Sequence, residues 1–452
     1  MTVPTAAPTQ MPEGSIALRR IDLRAGDPAA VGELDRLARR GVVPDRRVLD
    51  GARAIVDSVR AGGESAVRAA NERFGGGSAD GRLTLGSENL ERAADALEPD
   101  VRVALEAAIT NVRRVAEVQR PETTRIETVP GVEVERRWRP LERVGCYVPG
   151  GGAAYPSSLV MTVVPALVAG VDSIVVASPA DALGRLDRVL LGAAGILGVE
   201  TLLVAGGAQA IGALAFGLPS VGFGPVERIV GPGNAWVTAA KLALVGEVAI
   251  DVPAGPSEGC VIADAAAESR LVAADLVTQA EHGPDSPAIL VTTDERLAAD
   301  TPALVEAILA TAPRAAVVRE ALRAHGAIVL VADLDAAIDV VNAYAPEHLS
   351  IHVADDELER VVEAARNAGS VFVGRWAPES AGDYATGANH VLPTGGLARS
   401  CEALSVEAFG RFTQVQRITR AGLATLRPTI ETLAAVEGLD LHGRAVAARF
   451  EP

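Results

Sequence analysis

Aromatic residues make up only 3% of the 452 residues, so any core has to be built from Ala, Val, Leu and Ile. Cysteine is almost missing as well. The three present, Cys146, Cys260 and Cys401, are too few and too scattered for a disulfide framework, which suits a reducing compartment. A formal net charge of -16 argues against nucleic-acid binding, which needs a positive face. Long apolar runs are lacking too. The most apolar window, Leu159–Val171, is broken by Thr162 and Pro165 and is too short to span a bilayer. The first twenty residues have no apolar core of the kind a secretion signal carries. These absences predict a soluble, cytoplasmic protein with no membrane and no nucleic-acid partner.

What is present is a globular composition, 49% hydrophobic, in a chain long enough for two or three domains. Val48, Ile55, Val56 and Val59 recur at helical spacing, and a second amphipathic run extends from about Ser87 to Gln119. Val132–Trp138 alternates with period two, as a half-buried strand or hairpin does. From Val144 onward, short apolar runs alternate with helical segments. The runs are Val144–Val148, Ile174–Ala177, Thr201–Ala205, Arg228–Val230 and Val248–Ile250. A second set follows: Val261–Ala263, Ile289–Thr292, Ile328–Val331, Leu349–Val353 and Ser370–Val373. Continuous apolar strands alternating with helices predict parallel sheets covered on both faces. The expected fold is therefore α/β, with two doubly wound Rossmann-like halves, a helical N-terminal region and a small C-terminal helical arm. The boundaries read as 1–125 for the mostly helical region, 126–256 and 257–376 for the two α/β domains, and 377–452 for an irregular segment and the arm. Two or three helical segments are expected from about Glu402 to Phe450. Ligands in such sheets sit beyond the carboxyl ends of the strands.

The most informative stretch for chemistry is Ala274–Pro287, where Gln279 and His282 stand three apart at the end of a helical segment. That spacing puts both on one face, and a carboxamide with an imidazole suits a divalent metal, zinc first. Glu347-His348 pairs two proton acceptors of different basicity, as general acid–base chemistry needs; an exposed Glu beside a structural His is the plainer alternative. Asp383 and His390 lie in the irregular segment, where either a ligand or a turn role fits. Glu437 and His442 sit in the arm, where a solvated surface is the plainer assignment. Cys146 lies in an apolar run and reads as a small hydrophobe, and His325 and His352 read as structural. Glycine-rich turns occur at Pro149–Gly152, Gly206–Gln209 and Gly231–Asn234. Such turns let backbone N–H groups approach phosphate, but G-x-G-x-x-G is absent, and tight turns without a ligand fit equally well. A zinc hydrolase and a non-catalytic two-lobed binding protein both remain compatible with these residues.

In combination, these segments resemble the histidinol dehydrogenase family. The resemblance runs from about residue 40 to 450 and rests on G-C-Y-V-P-G-G, G-G-A-Q-A-I-G-A-L-A-F-G, G-P-G-N-A, D-V-P-A-G-P-S-E and Q-A-E-H-G-P-D-S. It continues through A-P-E-H-L, P-E-S-A-G-D-Y-A-T-G-A-N-H-V-L-P-T and T-I-E-T-L-A-A-V-E-G-L-D-L-H. It implies zinc-dependent oxidation of L-histidinol to L-histidine with two NAD reduced in sequence and one Zn2+ per subunit. By the same resemblance the metal ligands are Gln279, His282, Asp383 and His442, and the acid–base pair is Glu347 and His348. Substrate contacts fall on Ser257, His390 and Glu437 together with His348 and the metal ligands. NAD contacts fall on Tyr147, Gln209 and Asn234. The resemblance further implies a homodimer with shared sites, the arm of one subunit bringing Glu437 and His442 to the other.

Overall fold

A computed structural model describes residues 16, 18–150 and 155–451. Gly151 and Gly152 of the first glycine-rich turn, and the first fifteen residues, lie outside the described residues. The apolar runs form two six-stranded sheets. In the first, the order is Thr84–Gly86, Thr201–Val204, Ser173–Ser178, Arg143–Tyr147, Arg228–Val230, Ala249–Ile250. All of these pair in parallel except the edge strand Thr84–Gly86. In the second, wholly parallel, the order is Arg19–Asp22, Ala327–Leu330, Ala288–Thr292, Gly259–Ala263, His348–His352, Ser370–Val373. Counted along the chain, the five main strands of each sheet stand in the order 3-2-1-4-5, the doubly wound arrangement with a switch point between strands one and four. The two halves are the same topology used twice, each with one extra edge strand taken from the N-terminal region.

The strands are continuous apolar runs because helices cover both faces. Gly259–Ala263, Ala288–Thr292 and Ala327–Leu330 are buried at every position. The helix Pro156–Ala169 is buried almost throughout, which is why its sequence shows no polar face. On the other face of the first sheet, Arg46–Phe74 packs against Gly207–Phe216 and Ala235–Ala243.

The structure completes or corrects four expectations. The run from Ser87 to Gln119 is two helices, Ser87–Asp95 and Pro99–Gln119, because Pro99 cannot continue a helix but serves well at its first turn. The N-terminal region is not only helical, since it supplies Arg19–Asp22 and Thr84–Gly86 to the two sheets. The C-terminal segment opens with a nine-residue strand, Gly410–Ile418. It joins Val132–Pro140 and Thr124–Val129 in a three-stranded antiparallel sheet. The irregular segment contains a short helix, Glu379–Tyr384.

Candidate active site

Strands one and four of the second sheet set the floor of the site. Gly259 pairs with His348 across them, and a Cβ on Gly259 would lie 2.7 Å from Gln279 Oε1. Only glycine lets the helix Ser269–Glu281 lay Gln279 over that strand. About one turn earlier on the same helix, Asp275 Oδ2 meets His352 Nε2 at 2.7 Å, and both are buried. This pair fixes the helix that carries Gln279 and His282 against the strand that carries His348, so His352 is structural as expected.

His282 is the C-cap of that helix. Its Nε2 lies 3.0 Å from Glu379 Oε1 and 3.9 Å from Asp383 Oδ2. Glu379 and Asp383 stand four apart on the short helix Glu379–Tyr384 and so share a face. The donor atoms of His282, Glu379 and Asp383 all lie within 4.8 Å of one another. Burial alone would lower the His282 pKa, but the Glu379 hydrogen bond and the charges of Glu379 and Asp383 outweigh it and push it up to about 9. Burial also raises Glu379 above the usual carboxylate range.

His348 behaves oppositely. It is 3% exposed, and burial takes its pKa down to about 4. Its Nδ1 is 3.1 Å from Gln279 Oε1. An amide oxygen only accepts, so Nδ1 carries the hydrogen and Nε2 keeps its lone pair. Among the described residues that buried Nε2 has no hydrogen-bond partner. Beside it Glu347 is pushed up to about 8 by burial, against the Glu258 N–H that donates to its Oε2 at 2.9 Å. Glu258 in turn pairs with Arg40 at 2.6 Å, whose guanidinium lies over the Tyr344 ring at 3.4 Å. Ser257 Oγ accepts from Gln279 Nε2 at 3.2 Å. His390 Nδ1 donates to the Asp383 carbonyl at 3.0 Å, and burial lowers its pKa.

These groups face a cavity of about 780 Å³ between the two halves. Ser257, His282, Glu347, His348, Asp383 and His390 line one side, and Pro149, Tyr155, Ser158, Pro232, Gly233 and Asn234 the other. The nitrogen and oxygen donor set, sunk beside an unpartnered imidazole, fits a borderline divalent cation. The opposite wall fits a dinucleotide. Gly231 has φ +112°, and a Cβ there would sit 2.0 Å from Tyr147 O. Asn234 caps the next helix, accepting from Trp236 N at 3.0 Å and Val237 N at 3.2 Å.

The structure thus gathers Ser257, Gln279, His282, Glu347, His348, Asp383 and His390, with Asn234 across the cavity. Tyr147 and Gln209 are buried behind the turns rather than in the cavity wall. The Tyr147 hydroxyl accepts from Gly207 N at 3.2 Å, and Gln209 Nε2 donates to Asn71 Oδ1 at 3.3 Å. Glu437 and His442 are exposed on the arm and lie outside the cavity of their own chain. Expected at the carboxyl ends of strands, the residues of the second half sit instead at the amino ends, because Glu347, His348 and Ser257 precede or open their strands.

A model of the histidinol dehydrogenase family matches residues 38–450. The chain belongs to the histidinol dehydrogenase family. It is 46% identical over 423 residues to the histidinol dehydrogenase of Halobacterium salinarum, covering 91% of this chain and 98% of that one. It is 43% identical over 396 residues to that of Methanothermobacter thermautotrophicus, covering 88% and 92%. The solved histidinol dehydrogenase of Elizabethkingia anophelis superposes with a TM-score of 0.88 at 34% identity, over 96% of this chain and 98% of that one. No helix among the described residues is long and apolar enough to cross a membrane.

For this member of the histidinol dehydrogenase family, sequence reasoning missed Glu379. The signal was available: Glu379 and Asp383 are four apart, the same one-face logic that paired Gln279 with His282. It was hidden because Pro378 and Gly382 made the segment read as loop.

Proposed function

We propose that this enzyme oxidises L-histidinol to L-histidine through the aldehyde, the final step of histidine biosynthesis, in the cytoplasm. Two NAD are reduced per turnover, with one Zn2+ per subunit, in a homodimer with shared sites. The observation that carries this is the convergence of a clustered N/O donor set with a neutral, buried and unpartnered imidazole at one end of a cavity whose other end is a glycine-built turn. Family membership supplies the substrate.

Gln279, His282 and Asp383 would hold the metal, with His442 of a second subunit completing the set. Zinc, when bound, supplies charge that orients the substrate's amine and imidazole, and NAD supplies the hydride acceptor. His348, neutral at physiological pH, takes the alcohol proton on Nε2 as the C–H hydrogen leaves with its electron pair. Water then adds to the aldehyde with its proton passing to the Glu347 carboxylate. After His348 has released its first proton to solvent, the resulting hydrate loses its remaining carbon-bound hydrogen with an electron pair while His348 again accepts the hydroxyl proton, leaving the carboxylic acid. Asn234 and the Gly231 turn position the dinucleotide, and Tyr147 and Gln209 brace the turns from behind. Ser257 holds Gln279, and His390 holds the Asp383 backbone.

The exposed arm fits the dimer. Leu433, Val436 and Leu441 are 55%, 79% and 73% exposed beside Glu437 and His442, an apolar face that a second subunit would cover. The deciding experiment measures zinc content and NADH formation from histidinol on one purified sample, with and without a chelator. Hydrolysis without nicotinamide reduction would refute the proposal. Mixing inactive His348→Asn and His442→Ala chains should restore part of the activity, and no recovery would refute shared sites.

A further inference from the structure

Of the 42 lysine and arginine side chains, Lys241 is the single lysine. It and its partner Asp251 each keep only 4% of their side chains exposed. A chain that uses arginine at every other basic position places a lysine where a compact ammonium is needed. Its Nζ donates to Asp251 Oδ1 at 2.6 Å and to the Gly231 carbonyl at 2.5 Å. Asp251 Oδ2 accepts from the Gly231 N–H at 2.6 Å. Both backbone polar groups of one glycine are therefore held by the two members of one ion pair.

Gly231 opens the turn that delivers Asn234, and its left-handed backbone against Tyr147 is the tightest approach in that wall. The same helix carries Thr238, three residues before Lys241 and on the same face. Its hydroxyl donates to Ala254 O at 2.7 Å. Asp251 and Ala254 belong to the segment that crosses to the second half and leads into Ser257. Pro232 and Asn234 from the turn, and Ala254 and Ser257 from the crossing, line one cavity.

We propose that Lys241 and Asp251 are positioning residues that set the dinucleotide wall of the cavity, fixing the Gly231–Asn234 turn before the cofactor arrives and tying it to the strap that carries Ser257. The proposal rests on the dehydrogenase function given above. Arginine cannot substitute, because its planar fork does not place one compact donor between a carboxylate and a carbonyl in a closed space.

The test is Lys241→Arg and Asp251→Asn in the zinc-loaded dimer, read by NADH fluorescence titration and by steady-state constants for both substrates. KM for NAD and Kd for NADH should rise about tenfold, while kcat at saturating NAD stays within about twofold and zinc content is unchanged. A folded Lys241→Arg protein with wild-type NAD constants overturns the proposal. So does an equal loss in the NAD and histidinol constants, which a general loosening would give. Removing one member of a buried pair can also prevent folding, so the wild-type protein is tested as well. Amide exchange at Gly231 should be slow both without and with NADH, and exchange there that is fast until NADH is added overturns the pre-set turn. A wild type that binds no NADH would refute the function itself, and exchange at the turn then decides the clamp alone.

Discussion

The two halves share one strand order but present opposite edges to the cavity. The first offers the carboxyl ends of strands one and four, at Tyr147 and at Gly231. The second offers the amino ends of its own strands one and four, at Gly259 and His348. The edge decides the electrostatics. At a carboxyl edge helices begin, so Gly207–Phe216 and Ala235–Ala243 turn their positive dipole ends outward, where a phosphate is welcome. At an amino edge helices finish, so Ser269–Glu281 brings its negative end and His282, which favours a cation. Under the proposed function, one topology turned end for end supplies both the dinucleotide wall and the metal wall without a new fold.

Variants at the amino edge should damage chemistry, and those at the carboxyl edge should damage cofactor affinity. The largest effect belongs to His348→Asn, which should lower kcat by about 10²–10⁴ with zinc content and KM for NAD unchanged. Full turnover by that variant would remove His348 from the mechanism. Next is His282→Ala, whose zinc affinity, measured by competition with a chromophoric chelator, should fall by at least the roughly 10–100-fold typical of even outer-sphere partners. Unchanged affinity would move the metal elsewhere. Glu347 tests the pH axis. With its pKa near 8, its carboxylate form grows as pH rises through that value. Aldehyde oxidation should therefore climb up to about pH 8, and Glu347→Gln should flatten the climb while affecting the alcohol step less. A pH profile shared by both steps would count against water activation. The smallest effect is Asn234→Ala at the carboxyl edge. Loss of an N-cap costs about 1 kcal/mol, so KM for NAD should rise roughly fivefold with zinc binding intact. A change in zinc content would blur the division between the edges.

Much of this was legible in the sequence. The ten core strands were readable because most of them, buried on both faces, are written as near-continuous apolar runs. Gln279 and His282 were readable because helix geometry links residues three apart. The amino-edge placement was not, since a strand reads the same whichever end faces the ligand. Arg19–Asp22 was unreadable because its half-polar sequence becomes a strand only by pairing with Ala327–Leu330, far along the chain. The strand Gly410–Ile418, RFTQVQR at its centre, lacks an apolar face for a similar reason: its nine positions are exposed or half-buried. It is held by backbone pairing to Val132–Pro140 and by Arg417 on the buried Glu135 at 2.7 Å.

The chain passes between the halves three times: near residue 40, near residue 255, and through residues 374–394. These passages are laced together, the first to the second by Arg40 on Glu258 and the second to the third by Gly255 N donating to Thr394 Oγ1 at 2.6 Å. A protein joined by one strap can swing like a book. Joined by three that grip each other, the halves resist such a swing, and a nick in one strap is expected to leave them together. Under the proposed function, three straps that resist hinge opening would help keep an aldehyde intermediate inside the cavity between its two oxidations.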